Sequence, residues 1–422
     1  MFDVKFEKSF SHRSIMEKNL FYKRRIIKQL YLSNMLSCAE LSDKIQKSLP
    51  LTTKMLSQLQ EEEWVVETGY AASTGGRRPV MYSLKEDVMY VVSVAMDQLV
   101  TRIAIMNMRN RHVSDVTAFE LSLTKRADAP AALADSINEV IRRSGIAKNK
   151  IAGVGIGMPG FVNAVKGINY TFLETEGATI SRYIASRVKL PVFIDNDSRL
   201  IALAELKFGG AREKKNALII NVGWGVGLGM ILEGELFRGH EGFAGEFSHI
   251  PLFLNNKLCS CGKSGCLETE TSLLVIIEKA NKGLKAGKLS LLKELPVDNP
   301  EQAYQTIVTA AGKGDKFAVE ILSEAGYNIG RGVAILIHLL NPELIILSGR
   351  GSSAGKLWQA PIQQALNEHC IPRLSVNTEI GISALGFHAE LTGAAALVMD
   401  NFDSDHVMNA AAETVPDVFM QP

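Results

Sequence analysis

The sequence predicts an α/β protein of two related lobes preceded by a winged helix-turn-helix module, and three observations lead to that expectation. Three short helical patterns and a Gly-rich hairpin fill residues 1–87. A strand–turn–strand pattern then occurs twice, over 89–107 and again from Asn216. Buried-strand runs alternate with helical runs up to about residue 400, as in α/β architectures. A chain of 422 residues is too long for one hydrophobic core. We therefore expect a DNA-binding type module at 1–87, a second domain at 88–400 and a tail at 401–422. The second domain divides into lobes of approximately 88–200, with the C-terminal helix, and 201–385.

Composition narrows the class. No run of about 18 uncharged apolar residues exists to span a bilayer. The opening MFDVKFEKSF has no apolar core of a secretory signal, so a cytoplasmic protein is expected. The net charge is only +1, but it is unevenly placed: residues 1–85 hold 14 Lys/Arg against 9 Asp/Glu, leaving 32 against 36 elsewhere. A basic N-terminal part beside an acidic remainder favours nucleic-acid contact there.

In the first module, KRRIIKQLYLS at 23–33 places Ile26, Ile27, Leu30 and Tyr31 on one helical face. AELSDKIQ gives a second helix with Ala39, Leu41 and Ile45 inward. The segment from Leu51 gives a third, with Met55, Leu56 and Leu59 inward and Pro50 at its start, where a missing N–H costs nothing. Trp64–Glu67 and Pro79–Leu84 form a hairpin around Thr74-Gly-Gly-Arg-Arg78. In this plan the third helix enters the major groove. Thr52, Thr53, Lys54, Ser57 and Gln58 are expected to face DNA, with Arg77 and Arg78 at the wing tip on phosphates or in the minor groove.

In the second domain, strands are expected at 89–96, 100–107, 151–157, 190–194, 216–222 and 343–349. Helices are expected at 129–143, 178–188 and 387–399. Two βββαβ-like units suit a small ligand held between lobes.

A cysteine cluster carries the sharpest chemistry. His249 is followed by Cys259, Cys261 and Cys266, with Gly262 and Gly265 between the cysteines. In a chain without a secretion signal such spacing reads as metal binding rather than disulfide. One imidazole and three thiolates are a ligand set that tetrahedral Zn²⁺ prefers, and four protein ligands leave no open position, so the zinc is structural.

The sequence C-x-C-G-x-x-G-C-x-E, following G-E-x-x-H, resembles the ROK family of repressors, open reading frames and kinases, over residues 88–400. The first module resembles the DNA-binding domain of its repressor branch. The resemblance implies an actin-like (ribonuclease H-like) sugar-kinase fold, homodimers or homotetramers, operator DNA as partner, and a monosaccharide or derivative as effector. It also implies a set of sugar ligands: Asn196 and Asp197, the latter the vestige of a general base; Glu246 and His249; Glu268; and Gly160 in a loop closing over the sugar. Arg199 departs from the family, which carries a smaller polar residue there, and NYTFLETEG at 169–177 lacks its usual Asn-Leu and Trp features.

A kinase of this family needs two glycine turns at the ATP phosphates, because backbone N–H groups must come close to them. At the first turn Ala95 stands where an Asp belongs, Asp97 and Gln98 replace two glycines, and Leu99 replaces a threonine. At the second, Gly223 to Gly229 keeps its glycines but carries Trp224 in place of threonine. Losing one such electrostatic element lowers a rate by ~10²–10³. The expectation is a regulator rather than an enzyme; the rival reading is an ATP-dependent, glucokinase-like sugar kinase with an added N-terminal domain.

Overall fold

The computed structural model describes residues 14–71, 78–121, 123 and 128–404. Helix α1 spans Ile15–Ser33 and starts eight residues before the segment 23–33 that the sequence marks as helical. Its start is set by polar chemistry: the Ser14 side chain accepts the Glu17 N–H, and the Glu17 carboxylate accepts the Ser14 N–H. Helix α2, Cys38–Ile45, has a second such box from Ser37 and Glu40. Helix α3 runs from Leu49 to Glu61 with Pro50 in its first turn. Ile26, Ile27, Leu30, Leu41, Ile45, Met55 and Leu59 are all buried between these helices.

The strand Val65–Tyr70 pairs antiparallel with Val80–Leu84, and Leu36–Ser37 adds a third strand opposite Tyr82 and Met81. Three helices and a three-stranded sheet complete the winged helix-turn-helix module.

The chain divides into two compact units. One comprises the described residues of 1–160, 164–195 and 394–422; the other comprises 161–163 and 196–393. Each contains a five-stranded mixed sheet. In the first, the spatial order is 192–196, 151–158, 90–96, 100–107, 117–120. In the second it is 379–382, 344–348, 217–222, 226–232, 235–237. Read in chain order, both are 5-4-1-2-3: strands one to three form an antiparallel meander, and strand four lies parallel to strand one. This repeated plan is the α/β duplication that the two strand–turn–strand patterns announced. The 217–222 strand is apolar on both faces because helices pack against the sheet.

The winged module shares the first unit with the first sheet, and named contacts join them. Lys28 of α1 binds the Asp400 carbonyl and, at 3.1 Å, the Asp403 carboxylate, both at the end of the helix Ala389–Asp400. The Arg24 guanidinium lies 5.4 Å from the Phe402 ring centre. Tyr31 hydrogen bonds Asn110, and burial pushes its phenol pKa up. Among the described residues no helix is long and apolar enough to cross a membrane.

Leu59 is fully buried in the module core. Leu59→Ala is expected to destabilise the module by about 2–5 kcal/mol, from lost transfer energy and the cavity left behind. The check is a urea titration followed by circular dichroism; an unchanged midpoint contradicts the core assignment.

Candidate functional site

The His249, Cys259, Cys261 and Cys266 ligand atoms all lie within 4.8 Å of one another. The Cys261 and Cys266 Sγ atoms are 3.7 Å apart, and Cys259 Sγ is 3.5 Å from His249 Nδ1. A tetrahedral metal with Zn-like bond lengths puts thiolate pairs about 3.8 Å apart and a thiolate–imidazole pair about 3.6 Å apart. The donors fit that geometry, so this cluster can hold a metal ion. Burial and the neighbouring thiols push the Cys266 thiol up to about 12. Thiolates at these separations would repel one another, and a bound cation would offset that repulsion. Gly265, at φ +75°, permits the tight return: a Cβ there would lie 2.0 Å from the Phe253 carbonyl oxygen.

The second nitrogen of His249 faces the other way. Nε2 is 3.8 Å from the Glu246 carboxylate. Burial raises the Glu246 pKa above the usual carboxylate range, His249 and Arg199 pull it back, and Glu268 adds to the rise. Glu268 Oε2 accepts the Val226 N–H at 3.2 Å, and its Oε1 lies 3.8 Å from Cys259 Sγ. Two of the expected sugar-binding carboxylates thus stand on the cysteine knot.

Asn196 and Asp197 mark the junction of the strand Val192–Asn196 with the helix Asp197–Phe208. The Asn196 side-chain oxygen caps that helix, accepting the Ser198 and Arg199 N–H groups. Asp197 accepts from the Ser198 N–H at 2.7 Å and from the Asn221 amide at 3.5 Å. Asn196, Asp197, Glu246, His249 and Glu268 all belong to the second unit, whereas Gly160 belongs to the first, at φ +90° beside Thr171.

The glycines of the second turn have a reason independent of phosphate. A Cβ on Gly225 would lie 2.7 Å from Glu268 Oε2, and one on Gly227 would lie 2.0 Å from Ser198 Oγ. They let the hairpin approach the side chains that flank it. Trp224 is 7% exposed, its ring under the Arg350 guanidinium at 4.7 Å, and the same guanidinium lies 4.1 Å from the Phe387 ring centre and pairs with Glu301. In the first unit, the Asp97 carboxylate accepts the N–H groups of both Leu99 and Val100 at 2.7 Å. Ala95 is buried within its strand, paired with Arg102.

On α3, Thr53, Lys54 and Ser57 are exposed and Gln58 is half-buried. Thr52 corrects the sequence expectation: it is fully buried, and its hydroxyl donates to the Ser48 carbonyl at 3.1 Å. Thr52 and the outward Thr53 are consecutive, and a helix turns about 100° per residue, so the two point in different directions. Arg78 is exposed; Arg77 lies outside the described residues. Sequence reasoning missed Asn221, Ser198 and Asn163. Asn221 and Ser198 hold Asp197, and Asn163 donates to the Glu241 carbonyl at 3.1 Å. Each lies beside a motif residue, which is the only signal they carry.

A model of the ROK family matches residues 95–401. The xylose repressor of Caldicellulosiruptor bescii is 27% identical over 384 residues, 90% of this chain and 95% of that protein. A glucokinase of Halalkalibacterium halodurans is 33% identical over 291 residues, 67% of this chain and 87% of that protein. The solved structure of a ROK family transcriptional regulator, a homologue of the E. coli MLC protein, gives a TM-score of 0.73 at 25% identity, covering 94% of this chain and all of its own.

The cluster geometry predicts that purified protein carries about one metal ion per chain. In Cys261→Ser, metal content measured by mass spectrometry should fall to near zero. Retention of one ion per chain in that variant contradicts the ligand set.

Proposed function

The chain belongs to the ROK family, and from that premise we propose that it is a cytoplasmic, sugar-responsive transcriptional repressor of carbohydrate-metabolism genes. The observation that carries this reading is the turn at Asp97. Its carboxylate occupies the two amides that a phosphate-binding turn would present, and it would repel the phosphate itself. Trp224 adds a buried indole, locked by Arg350, at the second turn. The chemistry of hydroxyl recognition persists beside these changes in Asn196, Asp197, Glu246, His249 and Glu268. Binding without phosphoryl transfer is the behaviour of an effector site. Asp197 therefore serves as a hydroxyl acceptor and not as a base.

The metal is Zn²⁺, held by His249, Cys259, Cys261 and Cys266. It is structural, because four protein ligands close its coordination. When bound it supplies a fixed imidazole, whose Nε2 side then faces Glu246. A carboxylate facing the free nitrogen of a ligating histidine sets the orientation and tautomer of its ring.

The DNA contact is made by α3, through Thr53, Lys54, Ser57 and Gln58, and by the wing through Arg77 and Arg78. Exposed short polar side chains on α3 suit base edges and phosphates. The protein acts as a homodimer or homotetramer, so that paired modules read two half-sites. Named contacts between α1 and residues 400–403 give the module a defined seat on its own unit.

Two measurements test the reading. In a gel shift at stated salt, on DNA upstream of its own gene, the protein should bind specifically, and one free sugar or sugar derivative from a panel should change the affinity at least about tenfold, a coupling of about 1.4 kcal/mol. Lys54→Ala should weaken binding across sequences, as loss of a phosphate contact does. With ATP and the same sugar panel, no sugar phosphate should form above background. Sugar-independent DNA affinity, or turnover with ATP, contradicts the proposal.

A further inference from the structure

Arg199 is the residue that departs from the family at the sugar-binding motif, and its surroundings assign it a use. It sits in the first turn of the helix Asp197–Phe208 and is 4% exposed. One guanidinium nitrogen donates to the Gly242 carbonyl at 2.6 Å, and another donates to the Val162 carbonyl at 2.7 Å. These carbonyls belong to two separate segments, 161–163 and 241–246. The second segment ends on Glu246. A planar guanidinium fixes both partners in one plane, which a lysine ammonium cannot do.

Two further contacts join the same segments. Asn163 Nδ2 donates to the Glu241 carbonyl at 3.1 Å. The Phe161 and Phe243 rings meet edge to face, 5.6 Å apart at an interplanar angle of 80°. The pair is thus held by three independent interactions, yet Phe161 keeps 43% of its surface exposed. An aromatic ring held against Phe243, which lies three residues before Glu246 in the chain, and left open to solvent suits the apolar face of a sugar ring. Pyranoses whose hydroxyls are equatorial present such a C–H face on both sides of the ring, and an axial hydroxyl interrupts it on the side towards which it points.

We propose that Arg199 is a positioning residue that fastens 161–163 to 241–246, and that the Phe161–Phe243 pair so held is the specificity element of the effector site, packing against the C–H face of an aldopyranose. This rests on the sugar-effector reading above. It adds to the carboxylates, which count hydroxyls, an apolar wall that reads the hydroxyl orientation.

The test is calorimetry on the full-length, metal-loaded protein with D-xylose, D-glucose, D-galactose and D-mannose. The protein should bind at least one of these sugars and prefer an all-equatorial one. Phe161→Ala should weaken that sugar about tenfold, the scale of one aromatic packing contact. It should also make the heat-capacity change of binding less negative and narrow the preference over the axial epimers. Phe161→Tyr should keep both. Arg199→Ala should lose affinity at an unchanged metal content. Wild-type affinity and selectivity in Phe161→Ala would overturn the inference and leave the repressor reading standing. Failure of wild-type protein to bind any of these four sugars would overturn the inference, while the operator assay with its wider panel of sugars and derivatives decides the reading it rests on.

Discussion

His249 engages the protein on both sides of its ring, and the candidate site depends on that arrangement. Nδ1 faces the Cys259 thiol at 3.5 Å, and Nε2 faces the Glu246 carboxylate at 3.8 Å. A metal in the cysteine knot therefore fixes the ring, and the ring fixes where a carboxylate finds its partner. Glu268 joins from the other side, between Cys259 and the Val226 N–H. The knot is a short loop with little hydrophobic core of its own, since Cys261 is exposed and Leu254 and Leu258 face solvent. A metal held by the four donors would supply its order, and metal binding would then be linked to local folding.

The glycine hairpin illustrates how one fold carries two kinds of function. In a kinase its glycines bring backbone amides to phosphates. Here Gly225 and Gly227 bring the hairpin close to Glu268 and Ser198, and through Ser198 to Asp197. That packing role survives the arrival of Trp224. The bulk of the indole is absorbed by a stack with Arg350 and Phe387 and not by the hydroxyl-binding side. At the Asp97 turn the side chain likewise satisfies the turn's own amides, those of Leu99 and Val100.

The parts legible in the sequence are those with a strong local pattern. The strands 90–96 and 151–158 are nearly continuous apolar runs, and the cysteine spacing marks the knot by itself. Thr52 was misplaced because a polar residue among polar neighbours on a helix has no periodic signal of its own. The early start of α1 was missed for the opposite reason: its capping box is polar and precedes the apolar stripe. Asp403 and Phe402 fall in a segment with no readable pattern, because their meaning lies in Lys28 and Arg24, far away in sequence. Arg199 was visible as a departure, but its two carbonyl partners lie 37 and 43 residues from it.

The proposed effector site rests on a metal-bound imidazole that organises Glu246 and Glu268 for a sugar. That dependence is tested most directly by measuring, in one preparation of full-length protein, the affinity for the sugar selected by the operator assay before metal removal, after chelation and after reloading. The account predicts that affinity disappears on stripping, while the sheets and helices remain by circular dichroism, and returns with about one equivalent of Zn²⁺. Undiminished sugar affinity in the stripped, folded protein would contradict it.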